Sequence, residues 1–229
     1  REVNMSQNGL HAIIGIAARK WMPQKEWLLL GAVLGSMAPD LDNLAVAYAT
    51  LTGGDTHGLH RTFTHSVFTV LAMLVLFYVV AAATKNQKWN NFGIGFGIGI
   101  LMHILVDLMI WFNGVEIFWP LGGEVNFWAG FTVPAWLNII LETGEFLAFG
   151  LYFLLLISLS RKHNTDVARR GSAKTLAYAQ FVLFVVFAAL FFARGATGLA
   201  YTIFGALYLL SLIITMVVTI KMKQTVESL

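Results

Sequence analysis

The chain has 229 residues, 58% hydrophobic and only 12% charged, with a mean hydropathy of +0.72. Soluble domains carry roughly 25% charged residues, so the composition excludes an ordinary soluble globule and defines an integral membrane protein. The net charge of +3 sits at the ends of apolar runs, which gives no sign of a nucleic-acid partner, and the absence of cysteine excludes a thiol nucleophile or a thiolate metal site.

Arg1 to Asn4 precede Met5, and a natural start at Met5 is expected, with the first four residues of processing or vector origin. Residues 9–18 form a short apolar piece that carries His11 and ends at Arg19-Lys20. After a turn, residues 27–38 run apolar and small (Gly31, Ala32, Gly35, Ser36, Ala38), a surface suited to close helix packing in lipid, and stop at Pro39-Asp40-Leu41-Asp42. At about 1.5 Å per residue both pieces are too short to cross a ~30 Å hydrocarbon core alone, so a helical hairpin packed among longer helices is expected.

Half of the six histidines follow within ten residues, His57 to Ser66. Five residues of α-helix turn through about 500°, so His60 and His65 on one helix would diverge by roughly 140°. Both can face one point only if the helix starts between them, and Thr62 and Thr64 are suitable N-cap residues for that start.

Apolar runs of spanning length occur at 66–83, 92–112, 134–160, 174–193 and 199–220. The second begins with glycine at every other position from Gly93 to Gly99, which lacks the basic residue and strand context of a phosphate loop and fits tight helix packing. It continues to His103 and Asp107, spaced i and i+4 on one face. Residues 113–133 are rich in aromatics and read as an interfacial belt or a lid. Glu142 and Glu145 lie in the third span, and the last two spans hold neither acid nor histidine, suggesting scaffold or contact with a membrane-protein partner.

The basic clusters after the first, third and fifth spans fall on one side if the chain crosses five times, and the positive-inside rule makes that side cytoplasmic. His11, Asp40, Asp42, His60, His65, His103 and Asp107 then gather at the extracytoplasmic ends of their helices. Charged groups in apolar spans cost at least ~2.5 kcal/mol each at mid-membrane and mark function. Histidine and carboxylate without sulfur suit a divalent metal, zinc first, with manganese or iron as alternatives, and seven donors suit one or two ions. A haem between two histidines would leave the aspartates unexplained, and a proton path without metal is the other alternative.

The order His11, then Gly35-Ser36-Met37-Ala38-Pro39-Asp40-Leu41-Asp42, then His60-Arg61-Thr62-Phe63-Thr64-His65-Ser66, then His103-Ile104-Leu105-Val106-Asp107 with Trp119-Pro120 beyond, resembles the YdjM-type inner-membrane metal-dependent hydrolase family. A fainter likeness to the all-helical zinc phospholipases C stops short of their His-x-x-x-Glu element. The resemblance covers residues 9–121 and implies metal-dependent hydrolysis in a bacterial-type inner membrane.

The expected protein is therefore all-α, with about five transmembrane helices and a short N-terminal hairpin. It forms one membrane domain over 1–229, in which 1–133 make the metal-site core and 134–229 add three spans. In this reading His11, Asp40, His60, His65, His103 and Asp107 hold metal. Asp42 bridges, orients or acts as base, and Arg61 neutralises a developing anion on an amphiphilic ester or phosphoester. The reading from a different class is a non-catalytic subunit of a larger membrane complex, with a structural metal clamp.

Overall fold

A computed structural model describes residues 8–228, and among them every regular element is a helix, with one isolated antiparallel bridge between Val115 and Val125 in the loop that joins two of them. The helices are α1 (Asn8–Ala17), α2 (Leu28–Gly35), α3 (Asn43–Thr52), α4 (Val67–Thr84), α5 (Gln87–Ile110), α6 (Ala135–His163), α7 (Arg170–Arg194), α8 (Gly198–Lys221) and α9 (Lys223–Glu227). Five of them are long and apolar enough to cross a membrane: α4, α5, α6, α7 with the 3-10 turn Val167–Arg169 before it, and α8. The protein is an all-α integral membrane protein, and α1 and α2 are the short helices anticipated for the N-terminal hairpin.

The start of α4 differs from the sequence expectation. Thr62 and Thr64 do not cap it. Phe63–His65 form a separate 3-10 turn, and the Ser66 hydroxyl accepts the Phe68 N–H at 3.2 Å. Thr64 is drawn away because its hydroxyl donates to Asp42 Oδ2 at 2.7 Å. The Val67 N–H, another donor orphaned at the helix start, goes to the Ile117 carbonyl at 2.9 Å. α3 was not anticipated at all. It is a ten-residue helix of mixed polarity, entered from Asp42 and closed by Gly53 in the left-handed region at φ 70°.

The chain divides into two compact units, one of residues 11–129 and one of residues 8–10 with 130–228. In the first, the alternating glycines of α5 resolve into two stripes, because two residues of helix turn about 200° and so reach opposite faces. A Cβ on Gly95 would lie 1.9 Å from the Leu28 carbonyl oxygen, and one on Gly99 2.2 Å from that of Ala32, while Gly31 and Gly35 answer with 2.2 and 2.1 Å to the Phe92 and Phe96 carbonyls. α2 and α5 therefore touch backbone to backbone. On the other face Gly93 and Gly97 admit Phe77, Leu74 and Val70 of α4. Val70, Ile100, Ile104, Leu108 and Val115 form the buried apolar core of this unit.

Residues 113–129 are tied down. Besides the Val115 bridge, Glu116 N donates to Arg61 O at 3.0 Å and the Ser66 hydroxyl to Trp119 O at 2.8 Å, so this segment fixes the His60–Ser66 loop from outside.

In the second unit Phe146, Phe187, Phe191 and Phe204 interlock edge to face and offset across α6, α7 and α8. Polar pins set the register: Tyr152 with Thr219 at 2.7 Å, and Gln180 with Ser211 at 2.9 Å. Glu145 accepts the Gly9 N–H at 3.0 Å and Glu142 the Asn138 amide at 3.0 Å, so both acids of α6 have hydrogen-bonding work inside this unit.

Candidate metal centre

All seven residues singled out in the sequence, and Arg61, belong to the unit of residues 11–129. α1 supplies His11, the 3-10 turn Ala38–Asp42 supplies Asp40 and Asp42, the loop and turn before α4 supply His60, Arg61 and His65, and α5 supplies His103 and Asp107. Two sets of ligand-type atoms, His11/His103/Asp107 and Asp40/His60/His65, each lie within 4.8 Å of one another. The sets adjoin: His103 Nε2 is 3.6 Å from Asp40 Oδ1, and His65 Nε2 is 3.8 Å from Asp107 Oδ2.

Hydrogen-bond partners fix which nitrogen of each imidazole faces inward. His103 Nδ1 is 2.8 Å from the Ser36 carbonyl, which can only accept, so Nδ1 carries the proton and Nε2 presents a lone pair. His65 Nδ1 faces Asp42 Oδ2 at 3.4 Å and the Thr64 hydroxyl at 3.0 Å, which again turns the Nε2 lone pair inward. His60 Nδ1 donates to Asp42 Oδ1 at 2.7 Å, and its Nε2 is buried with no hydrogen-bond partner. Yet His65 Nε2 and His103 Nε2 stand only 3.1 Å apart. Two lone pairs cannot face each other at that distance in a buried site. A cation, proton or metal, has to lie between them.

The rest of the cluster makes the same demand. Asp40 and Asp107 are fully buried, and their carboxylate oxygens meet only nitrogens that are not aligned for a hydrogen bond: His11 Nε2 at 3.1 Å and Arg61 Nε at 3.3 Å for Asp107, His65 and His103 Nε2 at 3.5 and 3.6 Å for Asp40. Three carboxylates against one guanidinium leave two negative charges uncompensated when the imidazoles are neutral, which one divalent ion would cancel. The field is strong enough to act on protons. Burial works against the charged form of His65, but Asp40 and Asp42 overcome it and raise its pKa to about 9, so without metal the cation between the two imidazoles is a proton on His65 Nε2, which a metal would displace. Burial likewise opposes ionisation of Asp42, yet the hydrogen bonds from His60 and His65 hold its carboxyl well below the usual range. The nitrogen and oxygen donors and their unmet lone pairs fit a divalent metal.

Asp42 differs from the other carboxylates. Oδ1 takes the His60 proton, and Oδ2 takes the Arg61 N–H at 3.2 Å and the Thr64 hydroxyl, so both oxygens are engaged by donors. This is the geometry of a carboxylate that orients imidazoles. Arg61 sits at φ 61°, in the left-handed region that costs a non-glycine residue about 1 kcal/mol or more. Its Nε is 3.3 Å from Asp107 Oδ2, its guanidinium lies 5.6 Å from the centre of the Trp111 ring, and its buried Nη2 has no hydrogen-bond partner. His60, 15% exposed against 0 or 1% for His11, His65 and His103, marks the side on which the cluster reaches the surface.

The sequence did not reveal the Ser36 carbonyl or the Thr64 hydroxyl as parts of the site. Ser36 acts through its backbone, which leaves no signature in residue type, although its hydroxyl, 2.9 Å from the His11 carbonyl, helps join α1 to α2.

Fold and cluster together define a helical integral membrane protein with a buried histidine and aspartate centre that could hold a metal ion. Its model matching residues 7–197, the chain belongs to the YdjM inner membrane protein family. No curated protein and no solved structure matches the chain.

Proposed function

We propose that the protein is a membrane-embedded metal-dependent hydrolase acting on an ester or phosphoester bond of an amphiphilic or lipid substrate. The observation that carries this reading is the pair of inward-facing Nε2 atoms of His65 and His103 at 3.1 Å, set among buried carboxylate oxygens that lack aligned hydrogen bonds. His65 and His103 would hold a divalent ion where the two sets adjoin, with His11 and Asp107 on one side and Asp40 and His60 on the other as the further donors to one or two ions, zinc being the best match to the donors. When bound, such an ion lowers the pKa of a coordinated water toward 7 and polarises the scissile group. Asp42 keeps His60 and His65 in the tautomer that exposes Nε2. Arg61, with an unused buried N–H, neutralises the charge that builds on the substrate.

Purified protein in mixed micelles should hydrolyse bis-p-nitrophenyl phosphate or a p-nitrophenyl acyl ester at a rate that falls at least about tenfold with a chelator and returns with zinc or manganese. Bound metal without chelator-sensitive turnover of either probe would instead support a structural clamp. The near-complete burial of five of the donors is the observation that favours that second reading.

The orientation proposed places the basic loops inside and the metal centre at the extracytoplasmic side. Within the unit of residues 11–129 the two basic turns meet: Asn91 donates to the Glu26 carbonyl at 3.1 Å and Lys88 pairs with Glu26, at the end of α5 opposite Asp107. Because the chain has no cysteine, single cysteines at Thr56, Lys88, Glu124, Arg170 and Lys223 can be labelled without background. An impermeant thiol reagent on intact cells should mark positions 56 and 124 only. Labelling at 88 and 170 but not 124 would invert the protein.

A further inference from the structure

Away from the metal centre, the second unit carries a cleft of about 260 Å³ between the start of α7 and the end of α8. Its wall is aliphatic, from Ile213, Val217 and Val218, and its mouth is polar, with Arg169, Ser172 and Lys221. The two parts lie in a fixed order along α8. From Ile213 to Lys221 the helix rises about 12 Å, passing from an apolar stretch to the last cationic residue of the span. Ile213, Val217, Arg169 and Lys221 are all exposed on the protein, facing outward. Among the described residues no acid lies within ion-pair distance of either cation. The nearby Asp166 uses Oδ2 to accept both the Thr225 N–H at 2.8 Å and the Thr225 hydroxyl at 2.9 Å, capping α9. Arg170, beside Arg169, is turned back onto the Ser160 carbonyl and hydroxyl, so it holds the loop and does not crowd the mouth.

We propose that this cleft is a binding site for one anionic phospholipid. The phosphate sits between Arg169 and Lys221 with the Ser172 hydroxyl as a further donor, and an acyl chain lies along Ile213, Val217 and Val218. A membrane supplies the apolar chain to any groove between spans; the two cations and the hydroxyl at headgroup depth select the charge. A soluble anion would leave the aliphatic wall unused, and a zwitterionic lipid brings a positive group toward two others. The site is independent of the hydrolytic reading, since none of its residues belongs to the metal centre.

The test is native mass spectrometry of the detergent-solubilised protein titrated with phosphatidylglycerol or phosphatidylcholine of the same acyl chains. Phosphatidylglycerol should bind at roughly tenfold lower concentration than phosphatidylcholine, as expected for selection by two juxtaposed cations. Arg169→Gln with Lys221→Gln should abolish that preference. Lys162→Gln with Lys223→Gln, which removes the same charge from nearby positions, should preserve it. Val217→Trp, which fills the aliphatic wall, should weaken both lipids. Equal retention of the two lipids by the wild type, or equal loss of preference in both double variants, would overturn the proposal. So would displacement of phosphatidylglycerol by inorganic phosphate at equal concentration, which would make the cleft a soluble-anion site.

Discussion

Replacing His103 by alanine is expected to leave the purified protein with less than about a tenth of the metal carried by the wild type, because ligand and preorganisation are lost together. His103 is the residue on which both ligand sets converge. It stacks on His11 with ring centres 3.8 Å apart, faces His65 Nε2 at 3.1 Å, and is held in register by the Ser36 carbonyl. The position is fully buried, so the truncation removes an imidazole that solvent does not replace directly. Asp42→Asn should behave differently. An amide can still meet part of this network, but it brings an N–H toward His60 or Thr64 in place of an acceptor, and it lacks the charge that strengthens the imidazoles as donors to metal. The expected result is a 10- to 100-fold loss in metal affinity with the protein still able to load at high metal concentration. Both variants are read by metal analysis after dialysis against a graded chelator. If Asp42→Asn loses metal as completely as His103→Ala at every concentration, Asp42 is itself a ligand.

The second large effect concerns the scaffold that brings α5 against α2. Gly99→Ala puts a methyl group 2.2 Å from the Ala32 carbonyl oxygen and 2.6 Å from the Ser36 nitrogen, both backbone atoms that cannot rotate away. Overpacking a core costs about 1 to 3 kcal/mol when side chains can adjust, and here the helices themselves must part. Ser36 is the residue whose carbonyl positions His103, so the same displacement loosens the centre. Gly99→Ala should therefore shift most of the detergent-solubilised protein from a single size-exclusion peak to aggregate, and the remainder should carry little metal. Gly97→Ala is the matched control. Its methyl would meet Leu74 Cδ2 and Val70 Cγ1 at 3.3 Å, side-chain ends that can give by a few tenths of an ångström, and the variant should stay monodisperse. Equal behaviour of the two variants would show that the contact between α2 and α5 is looser than described.

These two experiments follow the boundary between what the sequence carries and what it does not. Long apolar runs identify α4 to α8 because lipid imposes one length and one polarity on any helix that crosses it. The glycine periodicity of α5 announces close packing, and the structure adds that the four glycines serve two different neighbours. The residue types of the centre were also legible, since histidine and aspartate in apolar surroundings are too costly to be incidental. Other features were not legible, for physical reasons. α3 is short and amphiphilic, so neither length nor hydropathy singles it out. Ser66 caps α4 in place of Thr62 or Thr64 because Thr64 is engaged by Asp42, a partner 22 positions away. The distinction between Asp40, with two oxygens lacking hydrogen bonds, and Asp42, with two engaged, depends on the Arg61 N–H and two imidazoles arriving from another segment. Nor does composition suggest that residues 113–129, read as belt or lid, would be stitched to the His60–Ser66 loop by backbone hydrogen bonds.

The most direct test of the centre is X-ray absorption on wild-type protein purified without added metal, with the metal first identified by elemental analysis. The expected result is at least one equivalent of a divalent transition metal, a first shell of nitrogen and oxygen at about 2.0 to 2.2 Å with outer-shell scattering from imidazole, and no sulfur. A protein that retains full helical content and a monodisperse profile while holding less than a tenth of an equivalent of metal, and that takes up none on incubation with zinc, manganese or iron, would contradict a metal centre built on His65 and His103.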